Sequence, residues 1–172
     1  MVATLLLLAG NVTVASATSS VDSGVGSDQH KGPSGSDGHK TVVLHLRAEA
    51  NRPTTYVDLG EADFSEADQF VFANDLFSGD TKVGEDGGVC TVTRVEEDGA
   101  STLYCVGGNS LPGGQINTAG LVTYGADEEF REEPYFFAIT GGTGKYRTAH
   151  GEVRIQELGS TELLDLTFRI IL

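Results

Sequence analysis

From Thr41 to Leu172, apolar residues alternate with polar ones in short runs, and no stretch of useful length carries a helical period. The strand-like segments are Thr41–Glu49, Thr55–Leu59, Gln69–Ser78, Gly88–Glu97, Thr102–Leu111, Gln115–Tyr124, Pro134–Thr140, Glu152–Leu158 and Glu162–Leu172. The best helical candidate, Gly60–Asp68, is short and mostly polar. With 23 Gly against 4 Pro, the connections suit tight turns and bulges. Strands this short and closely spaced in roughly 130 residues mean a sandwich or a barrel, and periodicity alone does not choose between them.

Gly88–Glu97 and Thr102–Leu111 flank a Glu-Asp-Gly turn and read as a hairpin. Pairing Val95 with Ala100 and counting outward sets Cys90 opposite Cys105. Directly opposed side chains share one face of a sheet at close to disulfide distance. The two cysteines are the only thiols of the chain. A disulfide is therefore expected in preference to a catalytic or metal-binding pair, whose spacing would be tighter. A disulfide agrees with an oxidising compartment.

The chain divides into three segments: 1–17 as a signal peptide, 18–40 as a disordered linker, and 41–172 as the folded domain. Leu5–Ala9 is a short apolar run, and Ala15-Ser16-Ala17 fits signal peptidase cleavage. The run is too short to span a bilayer as a helix. No Lys or Arg precedes it, so secretion is expected with a cytoplasmic location, and reduced cysteines, as the alternative. Thr18–Lys40 is rich in Ser, Gly and Asp with valine as its only aliphatic residue, too little to offset the entropy of ordering. Its His30 and His39 are isolated and make no metal site. The net charge of −14 argues against nucleic acid and anionic membrane surfaces, whose binding rests on Lys and Arg.

Gly141–Tyr146 superficially suggests a phosphate loop. A P-loop needs Gly where Ile139 stands and Ser or Thr where Tyr146 stands, and the next segment, Glu152–Leu158, reads as a strand rather than a helix. These glycines are expected to make a tight inter-strand connection. No Gly-x-Ser-x-Gly motif is present, and His45 and His150 are the only histidines after Lys40, too few for a His-rich metal centre.

Asp68–Asp80 (DQFVFANDLFSGD), Val83-Gly84 and Gly88-Val-Cys90 resemble the second-strand region of plant allene oxide cyclases. Ser110–Ile116 (SLPGGQI), Ala138–Tyr146 (AITGGTGKY) and Ala149-His-Gly151 resemble segments of dirigent proteins and their bacterial relatives. The resemblance covers about residues 41 to 172 and implies an all-β fold, an antiparallel barrel of about eight strands with a hydrophobic lumen. It also implies no metal or organic cofactor, a reactive hydrophobic small molecule as ligand, and frequent assembly of homo-oligomers as trimers. Orientation is then the main source of rate.

Residue by residue, Asn74 matches the Asn that helps hold a polar group or water in the cyclase lumen, and Pro53 and Cys90 fall on matching positions. Phe70 and Phe72 share the strand parity of Asn74 and are expected to face the same interior as substrate-binding residues. Where the cyclases carry a carboxylate and an amide, this chain has His45 and Arg47. Facing inward, Arg47 would bind an enolate or carboxylate and His45 would serve as acid or base. Facing outward, they would leave the lumen to Val42, Leu44 and Leu46, and alternation alone permits either. Tyr104, Tyr135 and Phe136 are aromatic candidates for the pocket wall. Three functions remain: a cofactor-independent cyclase or isomerase using His45, Arg47 and Asn74; a dirigent-type protein that steers coupling by a partner oxidase; or a secreted structural barrel filled by side chains.

Overall fold

Period-two alternation builds nine strands. They are β1 (Thr41–Ala50), β2 (Thr55–Val57), β3 (Gln69–Ser78), β4 (Thr81–Val95), β5 (Ser101–Leu111), β6 (Gly114–Tyr124), β7 (Tyr135–Gly142), β8 (His150–Glu157) and β9 (Leu163–Ile171), with a short 3-10 turn at Gly144–Tyr146. The computed structural model describes residues 40–60, 64–126, 128, 130–159, 161 and 163–172. The expected signal peptide, 1–17, and all of the expected linker except Lys40 lie outside these residues. Among the described residues no helix is long and apolar enough to cross a membrane.

Neighbouring strands pair antiparallel in the order β1-β9-β8-β7-β6-β5-β4-β3, and β1 pairs back onto β3. The result is a closed, eight-stranded antiparallel barrel. Closure satisfies both edges of the sheet, which settles the choice left open by periodicity. β2 is the ninth strand but not a ninth stave. Ala50 lies opposite Asn74 and Thr55 opposite Val71, so β2 prolongs the lane of β1 along β3 after a break around Pro53.

β4 is longer than its sequence suggests, starting at Thr81 rather than Gly88. Its first half, TKVGEDG, is poor in β-formers and reads as a turn, but pairing with β3 from Thr81 and with β5 from Glu85 holds it extended. The β4–β5 hairpin corrects itself. Val95 pairs with Ser101 instead of Ala100, and an irregularity between Val92 and Arg94 restores the register, so Cys90 still faces Cys105.

The two ends of the barrel differ. At one end Leu76, Ile116, Phe168 and Ile170, each 0–1% exposed, fill the lumen under Tyr146. The Gly141–Tyr146 stretch closes this end. Lys145 N donates to Gly113 O at 2.8 Å and Thr143 N to Gln115 O at 2.9 Å, locking it to the β5–β6 turn. That turn contains Gly113 at φ 96°, a value that favours glycine. The other end, formed by the last residues of β1, β4, β6 and β8 and the first of β3, β5, β7 and β9, is hollow.

Candidate functional site

The hollow end encloses a cavity of about 590 Å³, within the range of small-molecule sites. Its apolar wall includes Phe64, Phe70, Phe72, Leu103 and Leu164. Phe70 stacks at a tilt on Tyr56 (5.3 Å) and Phe64 (6.2 Å). Phe72 occupies space left by Gly88, where an added Cβ would meet the Phe72 ring at 2.7 Å and Val106 O at 2.2 Å. Cys90 also lines the cavity and is disulfide-bonded to Cys105 on the neighbouring strand.

A row of polar side chains separates the hollow half from the filled half. Asn74 on β3 lies opposite Asp86 on β4, which lies opposite Asn109 on β5. Directly opposed residues share a face, and Asn74 and Asn109 are buried, so the row points inward. Asn74 Nδ2 donates to Asp86 Oδ1 at 2.7 Å, and Asn109 Nδ2 donates to Ile116 O at 3.2 Å. Burial pushes the Asp86 carboxyl up to about 6, against hydrogen bonds from Asn74 that pull it down. Asn74 lines the cavity, and Asp86 stands one hydrogen bond behind it.

A second polar group sits at the mouth. Tyr124 Oη donates to Glu157 Oε1 at 2.7 Å, and the Arg131 backbone N–H donates to Glu157 Oε2 at 2.8 Å. Tyr135 lies against the same pair. Burial first, then the negative surroundings, raises both phenols far enough that they stay protonated donors. Glu128 completes the mouth, its Oε2 accepting from Gly125 N at 2.7 Å. Above Phe70 the β2–β3 connection is tied down by Asp68, which has no exposed surface. It accepts from Tyr56 Oη (2.6 Å), Leu59 N (2.8 Å) and Ser65 N (2.7 Å). These donors hold its carboxyl down at about 2.

Several expected site residues are elsewhere. His45 and Arg47 lie on the outer face of β1, because Leu46 and Ala48 (8% and 1% exposed) take the inner positions. His45 Nδ1 contacts Thr167 Oγ1 at 3.2 Å, and Arg47 pairs with Glu49 at 2.7 Å over the Phe77 ring. Tyr104 and Phe136 are also outside, at 45% and 51% exposure, since Leu103, Cys105, Tyr135 and Phe137 turn inward. Asn74, Phe70, Phe72 and Tyr135 do meet at the cavity. Sequence reasoning missed Asp86, Tyr124 and Glu157. Asp86 had a signal: counting back by twos from Cys90, which faces Cys105, passes through Gly88 and reaches Asp86. Among the described residues no group of three or more His, Cys, Asp or Glu side chains could hold a metal ion.

Residues 42–170 match the family described as "Allene oxide cyclase barrel like domain". No curated protein matches the chain. Among solved structures, a pyocyanin demethylase superposes with a TM-score of 0.63 and 26% identity, over 74% of this chain and 99% of that one. A Diels-Alderase from Streptomyces koyangensis gives 0.60 and 18%, over 79% and 69%. A pterocarpan synthase dirigent protein gives 0.56 and 17%, over 77% and 89%.

Proposed function

The chain belongs to the allene oxide cyclase barrel-like family, and from that premise we propose that its lumen binds a reactive hydrophobic small molecule and directs stereoselective ring closure or isomerisation. The carrying observation is the division of the barrel: one half is filled, the other is an aromatic-walled cavity of about 590 Å³ that ends on the Asn74–Asp86 pair. A purely structural barrel has no need of that hollow. Phe70, Phe72 and Leu103 confine the substrate, and Asn74, oriented by Asp86, offers it a polar contact. Confinement in one reactive conformer lowers the barrier mainly through orientation, with no cofactor in the step. The names pyocyanin demethylase, Diels-Alderase and pterocarpan synthase each denote work on a small molecule, which supports this reading.

Two further expectations belong to the proposal. Tyr104, Val106, Leu121 and Phe136 are exposed on the outside of β5, β6 and β7, an apolar face suited to the trimer the family suggests. The Cys90–Cys105 disulfide supports export.

The test is a thermal-shift screen against polyenes, polyketides and phenols, followed by incubation of each hit with and without a one-electron oxidase and chiral chromatography of the products. Cyclised or isomerised product without the oxidase supports the enzyme. Stereochemical bias that needs the oxidase moves the protein to the dirigent type. A screen in which nothing raises Tm sinks both.

A further inference from the structure

The cavity that houses the proposed reaction has a one-sided charge inventory. Its lining includes two carboxylates, Glu128 and Glu157, and no Lys, Arg or His among the described residues. The other residues after Lys40 (61–63, 127, 129, 160 and 162) include no basic side chain either. A cation beside the mouth is Arg131. Its guanidinium donates to the Thr123 carbonyl and stands 3.8 Å from Glu128, so it offsets one carboxylate without itself lining the cavity. Deeper in, Asp86 adds a third acidic group behind Asn74.

Glu157 is also built to receive a ligand. Its Oε1 takes the Tyr124 hydroxyl and its Oε2 the Arg131 backbone N–H, and the Tyr135 hydroxyl also hydrogen-bonds to this carboxylate. A carboxylate has about four acceptor sites, so three donors leave capacity for a further one. The surrounding walls are rings: Phe64, Phe70, Phe72, Tyr124 and Tyr135 line the same space. Aromatic faces attract cations, and more strongly where water is excluded. An anion in this cavity would face the carboxylates with no side-chain cation in the lining to meet it.

Resting on the reading of the lumen as the ligand site, we propose that it selects apolar molecules that are cationic or carry strong N–H or O–H donors, and rejects anions, with Glu157 as the residue that sets this preference. The ligand is an extended aromatic or polyene skeleton bearing a protonated nitrogen or a comparable donor, which docks on Glu157 while its apolar body enters between Phe70 and Phe72. This reverses the expectation attached to Arg47, which would have favoured an enolate or carboxylate and lies outside the barrel.

Three tricyclic probes of matched shape test it on the full chain by fluorescence titration: the cation 9-aminoacridine, neutral 9-methylanthracene, which has no N–H or O–H donor, and the anion 9-anthracenecarboxylate. The cation is expected to bind about tenfold or more tighter than the anion, with the neutral probe between them. Glu157→Gln should narrow that gap to about threefold or less, by weakening the cation and relieving the anion. Because a chain of net charge −14 attracts cations everywhere, Leu103→Trp serves as control: filling the cavity must abolish the preference. An anion that binds as tightly as the cation overturns the inference, in the wild type alone and whether or not Glu157→Gln folds. So does a preference that survives Glu157→Gln or Leu103→Trp. Binding of the neutral probe without charge preference sinks only this inference, whereas failure of all three probes sinks the ligand-binding reading beneath it.

Discussion

Asp86 and Asp68 show how one side-chain type is put to opposite uses. Asp68 is surrounded by donors that favour its charged form, so its carboxyl sits at about 2 and its contribution to stability is lost as pH falls toward that value. Asp86 has one side-chain donor and a desolvated site, and its carboxyl rises from the ordinary 3.8 to about 6. The folded state then holds a proton that the unfolded chain has released. Stability contributed at Asp86 is therefore present below about pH 4 and lost as pH rises through 6. Asp86→Asn keeps an acceptor for Asn74 and carries no charge. It should stabilise the protein at pH 7 by on the order of 2 kcal/mol and remove the slope between pH 4 and 6, read from urea midpoints across that range. A variant that keeps the slope would place the titration on another group. Asn74 was legible in the sequence from its motif and strand parity. Its partner was missed although its parity with Cys90 was readable, because Asp86 lies between glycines and acids that locally resemble a turn.

β4 and its hairpin with β5 carry most of what is unusual among the elements. Glycines at 84, 87 and 88 weaken the strand's own preference, yet Gly88 gives Phe72 its place in the cavity wall. The disulfide compensates on the same strand, joining Cys90 to Cys105 across a separation of 15 residues. Cutting it with Cys90→Ala and Cys105→Ala together should cost about 3 kcal/mol in the loop-closure picture, measured by denaturant unfolding. The paired variant should keep its antiparallel register, because the pairing of β4 with β3 runs from Ser78–Thr81 to Gln69–Thr91 without the sulfurs. Loss of the far-ultraviolet strand signal in the folded variant would show that the bond, and not the ladder, sets the register. β3 was legible over its full length, Gln69–Ser78, because Phe70, Phe72 and Leu76 alternate with outward residues. β4 was legible only in its apolar half.

At the scale of the whole barrel, the filled and hollow halves separate stability from binding. Phe168 is 1% exposed in the filled half, and Phe168→Ala should cost about 3–5 kcal/mol in unfolding free energy while a ligand at the mouth still binds. Leu103 lines the hollow half, and Leu103→Trp should weaken ligand binding about tenfold or more with a small change in Tm, measured by titration and thermal melts. If Phe168→Ala were the variant that lost binding, the division into halves would be wrong. The sequence by itself determined most of the strands, the cysteine pairing and the shared parity of Phe70, Phe72 and Asn74, since each depends on near neighbours or one hairpin, while the inward direction of that parity came from the family resemblance of Asn74. It left the inward face of β1 open: Leu44 and Leu46 alternate with His45 and Arg47, and a period of two has no phase of its own. Closing β1 onto β3 and β9 supplied that phase and sent His45 and Arg47 outside. The same closure joined Tyr124 on β6 to Glu157 on β8, residues 33 apart with β7 between them. Only a sheet curved into a barrel brings such residues together, because its inner faces converge on one small volume whatever their distance along the chain.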